Sequence, residues 1–345
     1  MTRSISPTLA WGAVLVAAVV AAFVAALLAG PVHIGAAQIV AALASRTDAL
    51  SAVQQTVLLE LRLPRALTAL LIGGALAVAG CTFQALLRNP LADPSFIGVS
   101  GGAAVGAALC LAGLPFLNML SLPPALPVAA AALVGGLGAA LLVLRIADVD
   151  GDTQAVTLLL AGLAINAFAA GLLGLIAYGA SDPALRAITL WLFGSLGRAG
   201  WMELAIAAPL MLLAIAGLWR HAAALNGLLL GEAEAAHIGI DVVRLKRFGI
   251  LLAVACTALS VALAGIIGFI GLMVPHMLRM LLGPDHRILL PLSWLGGAAL
   301  LSGADTIARL VLQPAEVPVG ILCALLGAPF FVGLLLRWRR SPEFT

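Results

Sequence analysis

Residues Arg62–Gly106 read RLPRALTALLIGGALAVAGCTFQALLRNPLADPSFIGVSGGAAVG, and the order of events along this stretch decides the fold. Arg62 and Arg65 stand one helical turn apart around Pro64. About twenty mostly apolar residues follow, enough for a helix to cross a bilayer core of roughly 30 Å. The run ends in QALLRNPLADP, where Pro90 and Pro94 stop the helix and Asn89 and Asp93 can bond the freed backbone. The chain then re-enters through a glycine-rich segment. A charged pair at one end and a kinked turn at the other describe a polypeptide contacted from both faces of a membrane.

The remaining composition agrees. Hydrophobic residues make up 63% of the 345-residue chain and charged residues 10%, and the mean hydropathy is +1.16. These values exclude a soluble globular protein and leave room for about ten passes of ~20 residues. The net charge of +3 is small and spread along the chain, which argues against nucleic acid as a partner. Cys81, Cys110, Cys256 and Cys323 sit far apart in apolar runs, as small buried hydrophobes do. Lys246 is the only lysine, so no GxxxxGK[ST] phosphate loop exists and ATP chemistry has to come from a partner. The first apolar run is too long for a signal-peptide core and reads as a retained helix.

Hydropathy places crossings at Leu9–Ala29, Leu67–Leu87, Phe96–Gly113, Ala125–Leu144, Ala155–Gly179, Trp201–Trp219, Phe248–Leu263, Ile266–Leu282, Ile288–Ala304 and Pro318–Leu336, all in one transmembrane domain over residues 1–345. Ile34–Ala44 and Ala184–Leu196 are expected to lie at the outer surface, the second with an interfacial Trp191, and Ala224–Val243 forms an inner loop. With both ends inside, twelve of the 18 basic residues fall on the inner side and six outside, which fits the positive-inside rule. Leu76–Gly80 (LAVAG) and Val261–Gly265 (VALAG) echo each other at a spacing that Pro90 and Pro275 share, and with ten passes the first copy runs inward and the second outward, as an inverted-topology repeat would require.

Several constellations carry both a plain and a functional reading. Arg62 and Arg65 on one helical face, with Arg309 at the outer end of another crossing, either snorkel to headgroups or pair with carboxylates of a docking protein. The Asn89–Pro94 turn is either an ordinary connection or a narrow collar with Leu91 as its apolar plug, facing Asp152, Thr153 and Gln154. Gly98, Gly102 and Gly106 form a small-residue stripe for close helix packing, within one subunit or between two. The loop Gly231, Glu232, Ala233, Glu234, Ala235, Ala236, His237, Ile238 and Gly239 reads as a short helix with a glycine stop, and offers a seat for an ATPase or simply a solvated surface. Asp305, four residues before Arg309, is expected to form a salt bridge with it. The five histidines show no HxxxH or HExxH spacing, and no GxSxG or Ser/His/Asp arrangement appears.

At these residues the chain resembles the FecCD-type permeases of type II ABC importers for ferric siderophores, haem and cobalamin. The stretch quoted first carries most of the likeness. GEAEAAHIGI, GIIGFIGLMVPHMLR, DHRILLP, ADTIARL and EVPVGILCALLGAPFF follow in the order such permeases show. The resemblance implies an all-α integral membrane protein of ten helices with an inverted-repeat fold, in the bacterial inner membrane with both termini cytoplasmic. It implies a homodimer around a central pathway, two ATP-binding cassette subunits below and a periplasmic binding protein above. Arg62, Arg65 and Arg309 match positions that pair with acidic residues of the binding protein. Asn89 and Leu91 match a cytoplasmic gate whose partner lies around Thr153 and Gln154, and residues 231–239 match the ATPase-coupling region. No cofactor is expected on this chain, since ATP and Mg belong to the partner ATPase and haem or an iron chelate is cargo. ITLWLFGSLGRAGW and NPLADP look closer to haem and iron-chelate permeases than to the cobalamin one, which ranks haem first, ferric siderophore second and cobalamin third. An ion-coupled secondary transporter is the rival from another class.

Overall fold

A chain in lipid has to satisfy every backbone group internally, and the computed structural model is correspondingly helical. It describes residues 7–44, 50–113, 125–149, 152–313 and 315–338. The helices are α1 (Pro7–Leu28), α2 (Ala36–Leu43), α3 (Ala52–Leu86), α4 (Val99–Ala112), α5 (Ala125–Ala147), α6 (Ala155–Gly179), α7 (Asp182–Leu192), α8 (Trp201–Arg220), α9 (Ala222–Leu228), α10 (Glu232–His237), α11 (Val242–Ala264), α12 (Ile270–Leu282), α13 (His286–Val311) and α14 (Val319–Trp338). Among the described residues seven helices are long and apolar enough to cross a membrane, and the shorter apolar helices α4, α12 and α14 complete the expected ten.

Several boundaries differ from the hydropathy reading, and α13 runs seven residues past Ala304, to Val311. α3 begins at Ala52 rather than Leu67 and runs 35 residues, with Val57–Arg62 wound as a π-helical segment. Ser51 starts it with a reciprocal cap, Ser51 Oγ accepting from Gln54 N at 3.3 Å and Gln54 Oε1 from Ser51 N at 3.1 Å. Arg62 and Arg65 therefore lie inside a helix instead of marking its mouth. α11 begins at Val242 rather than Phe248, because Asp241 caps it through Arg244 N at 2.9 Å and the basic run is already helical. α12 begins at Ile270, and the apolar run is cut at Gly265, whose φ of 73° ends α11. The loop after α7 enforces that cut: Ser195 N donates to Ala264 O at 2.7 Å, and Trp191 O packs where a Gly265 side chain would stand.

Two smaller expectations also change. Trp191, expected at the membrane interface, is 2% exposed and packs with Ile188 against Val261 and Ala262 of α11. The connection before α6 is a short antiparallel ladder, β1 (Asp148–Val149) on β2 (Asp152–Thr153), pairing Asp148 with Thr153.

The centre of the bundle is α3. Twenty of the residues in Leu63–Leu86 are buried, enclosed by α13, α11, α12, α8 and α1. Its glycines set the spacing. A Cβ on Gly73 would overlap Gly297 O of α13, one on Gly80 would overlap Gly271 O of α12, and one on Gly74 would strike the Trp294 ring. Gly102 and Gly106 meet Gly135 O and Ala131 O of α5 in the same way, so the glycine stripe serves packing inside this chain. All four cysteines are free and buried.

Two segments stop short of a full crossing. Gly271 lies beside Leu76 O and Gly80, so α12 starts about 9 Å or more along α3 from its Leu86 end, at 1.5 Å per residue. The turn after α3 dips back to meet it, with Asp93 Oδ2 against Gly271. The two prolines of the LAVAG/VALAG echo stand in different structure, Pro90 in this turn and Pro275 inside α12.

Substituting alanine at Gly80 forces a methyl into a backbone carbonyl and is expected to cost about 1–3 kcal/mol. Gly138 on α5 has nothing within 4 Å of a built Cβ, and alanine there is expected to stabilise by about 0.5–1 kcal/mol. Thermal unfolding of the detergent-solubilised variants, followed by tryptophan fluorescence, should move in opposite directions.

Candidate functional site

At one end of the bundle α1 finishes with carbonyls that have no helical partner, and two guanidinium groups take them. Arg62 Nη1 donates to Leu27 O at 2.7 Å and Leu28 O at 3.3 Å, and Nη2 donates to Val32 O at 2.6 Å. Arg309 Nη2 donates to Ala26 O at 3.0 Å and Nη1 to Ala29 O at 3.2 Å. Positive charge at a helix C-terminus also complements the helix dipole. Both arginines are nearly enclosed, 5% and 7% exposed.

Arg65 makes a different set of contacts. Its Nε donates to both Asp305 oxygens at 3.1 Å, Nη2 to Asp305 Oδ1 at 2.9 Å, and Nη1 to Glu316 Oε2 at 2.8 Å. The expected Asp305–Arg309 ion pair is present at 3.3 Å. Asp305 thus joins α3 to α13, with its side chain 2% exposed, while Glu316 is 48% exposed. The three arginines that were singled out in the sequence do come together. Two of them bond the end of α1, and Arg65 pairs with the half-exposed Glu316. Glu316 and the Arg65–Asp305 contact were not foreseen.

At the opposite end, Asn89 Oδ1 accepts from Leu91 N at 2.9 Å and Asp93 Oδ1 accepts from Ser95 N at 2.8 Å, so both side chains fold the turn as their types suggest. Gln154 N donates to Ala147 O at 3.2 Å and its Oε1 accepts from Thr157 Oγ1 at 3.2 Å. Thr153 pairs through its backbone in β2, and its side chain lies outside the described residues. Among the described residues no hydrogen bond joins Thr153 or Gln154 to Asn89 or Leu91. A polar bridge nearby escaped the sequence: Arg279 Nη1 donates to Gln84 Oε1 at 2.6 Å, and Gln84 Nε2 donates to Leu272 O at 3.2 Å, tying α3 to α12.

Residues 231–239 form the expected short helix. Gly231 and Gly239 bracket α10 with φ of 121° and 87°, backbone states that favour glycine. Ala235 is buried and accepts from Ile240 N at 3.0 Å, and Glu232 Oε2 pairs with Lys246 Nζ at 2.6 Å. His237 Nδ1 bonds Ala233 O at 2.7 Å. Ala233, Glu234, Ala236, His237 and Ile238 face outward as a low surface. Beside it, Asn226 of α9 donates Nδ2 to Asp285 Oδ1 at 2.6 Å, and Asn226 Oδ1 accepts from His286 N at 2.8 Å. The Asn226 amide, and then the Arg287 amide, hold the Asp285 carboxyl below the ordinary carboxylate range. That contact is complete at neutral pH and weakens only as pH falls through the lowered value. Among the described residues no group of His, Cys, Asp and Glu could hold a metal ion.

Residues 18–337 match the FecCD transport family, and the chain belongs to it. It is 45% identical over 287 residues to the hemin transport system permease protein HmuU of Yersinia pestis, covering 82% of this chain and 84% of that one. It is 42% identical to the cobalamin import system permease protein BtuC of Halobacterium salinarum, covering 81% and 73%. It is also 42% identical to the Fe(3+) dicitrate transport system permease protein FecD of Escherichia coli, covering 82% and 86%. A solved inward-facing structure assigned to a metal-chelate type ABC transporter superposes with a TM-score of 0.81 at 32% identity, covering 94% of this chain and 97% of that one.

Replacing Arg65 with methionine leaves the enclosed Asp305 with Arg309 as its one remaining cation and is expected to cost about 3 kcal/mol. Replacing Glu316 with glutamine removes a half-exposed charge and should cost less than about 1 kcal/mol. Thermal unfolding of the two purified variants checks the contrast.

Proposed function

We propose that this FecCD-family chain is the membrane permease of an ATP-driven importer for a large metal chelate. It works as a homodimer in the bacterial inner membrane, with both termini cytoplasmic. A periplasmic binding protein docks on the arginine face, and two ATP-binding cassette subunits sit on the α9–α10 face. The observation that carries this reading is similarity along nearly the whole chain to permease subunits of ABC systems, in a polypeptide with no phosphate-binding loop of its own. Haem is the cargo that the sequence pattern favours. The relatives named for cobalamin and ferric dicitrate support those chelates equally.

Each element has a physical part in the cycle. Carboxylates of the binding protein exchange with Glu316 at Arg65, while Arg62 and Arg309 add positive charge beneath them. The outward face of Gly231–Gly239 takes up the closing motion of the ATPase pair. The turn holding Asn89 and Leu91, with Thr153 and Gln154 opposite, then opens and closes the inner mouth. Such a cycle alternates between discrete packings biased by ligands at both faces.

The complex purified with its ATPase and binding protein should move labelled haem, ferric dicitrate or cobalamin into vesicles only when ATP is supplied. Uptake by the permease alone, driven by an ion gradient, would overturn the reading in favour of a secondary transporter. Replacing Glu316 with glutamine frees Arg65 for the partner, and a few-fold tighter complex with the binding protein is expected in a binding titration. Unchanged affinity would remove Arg65 from the docking contact.

A further inference from the structure

We propose that Asn226 is a positioning residue: it clamps the α9–α10 segment to the first turn of α13, so that α13 carries displacement between the ATPase-facing segment and the Arg65–Asp305 cluster. The inference rests on the transport cycle proposed above and adds the route by which its two ends communicate.

The clamp uses both ends of one amide. Nδ2 donates to Asp285 Oδ1 at 2.6 Å, and Oδ1 accepts from His286 N at 2.8 Å and lies 2.9 Å from His286 Nδ1. The N–H of His286 is one of the donors that the start of a helix leaves without an internal partner, and here a neighbouring helix takes it. Asp285 caps the same turn through Arg287 N at 3.0 Å. His286 is wholly buried, and Leu225 and Leu228, flanking Asn226 on α9, are each 1% exposed. Pro291 lies one turn into α13 and has no N–H to give Arg287 O. The helix start is therefore held less by its own ladder and more by Asn226.

The segment has a second tether. α10 is tied to α11 by Glu232 and Lys246, and the Glu232 side chain is 43% exposed, so water competes for that pair. Displacement of α10 is transmitted through Gly231 into α9, which packs on α13. α13 is 26 residues long, about 39 Å at 1.5 Å per residue. Along its length its backbone touches α3 at Gly73 and Gly297. At its far end Asp305 holds Arg65, and Arg309 holds the carbonyls of α1. A helix gripped at both ends and seated on the central helix gives the two faces one shared element, through which displacement at either end reaches the other.

The test uses the full complex of permease, ATPase and binding protein in vesicles, with the binding protein empty and loaded in turn with haem, ferric dicitrate and cobalamin. It reads the ratio of stimulated to unstimulated ATP hydrolysis at matched ATPase content. Asn226→Leu keeps the side-chain volume and removes all three bonds. The ratio is expected to fall about tenfold, within the usual range of coupling between sites, while affinity for the binding protein stays as in the parent. A role confined to stability would lower the unfolding temperature and leave the ratio alone. If Asn226→Leu does not assemble, Asn226→Asp is read instead, because it keeps the acceptor for His286 N and sets a carboxylate against Asp285. An undiminished ratio in the assembled variant overturns the clamp. A parent complex whose ATPase ignores the binding protein overturns the transport cycle itself, and the clamp with it.

Discussion

Backbone touching backbone along α3 is the constraint from which the rest of the bundle follows. In lipid, two apolar helices gain little by leaving their surroundings for each other, so association depends on how closely they pack. Gly73 against Gly297 and Gly80 against Gly271 remove the side chains that would hold the axes apart. α12 and α13 can then lie on the central helix over long contacts. Once they do, Arg65 falls beside Asp305 and Gln84 beside Arg279. The polar cross-links are consequences of that fit.

The chain's charged residues show how such a fold handles cations. A guanidinium below the headgroups needs acceptors, and this protein supplies them in two ways. Arg65 has carboxylates. Arg62 and Arg309 have the final carbonyls of α1, which would otherwise lack partners of their own. The second arrangement satisfies two needs at once, the charge and the helix end. The consequence is that Arg62 and Arg309 are bound to α1 and nearly enclosed.

What could be read in the sequence is what depends on local chemistry. The ten apolar helices follow from hydropathy, the Asn89 and Asp93 turns from their side chains, the α10 stop from Gly239, and the Asp305–Arg309 pair from helical spacing. What could not be read depends on partners far along the chain. Arg62 and Arg65 look like a boundary because hydropathy counts a charge without knowing what neutralises it, and their acceptors lie on α1, α13 and the segment before α14. A carbonyl is present at every residue, so no pattern announces that Leu27 receives an arginine. The break at Gly265 is likewise set by the loop after α7. Asn226 gave no signal at all, being one polar residue in a short helix whose partners arrive about sixty positions later.

The short helices have a bearing on how the protein is made. At 13 residues α12 is too brief to hold itself across a bilayer, and it stays because α3 covers one side of it. Yet α3 leaves the ribosome long before α12 and α13 exist. Until they emerge, its glycine notches face lipid or a chaperone. Helices made late in the chain thus complete the packing of one made early.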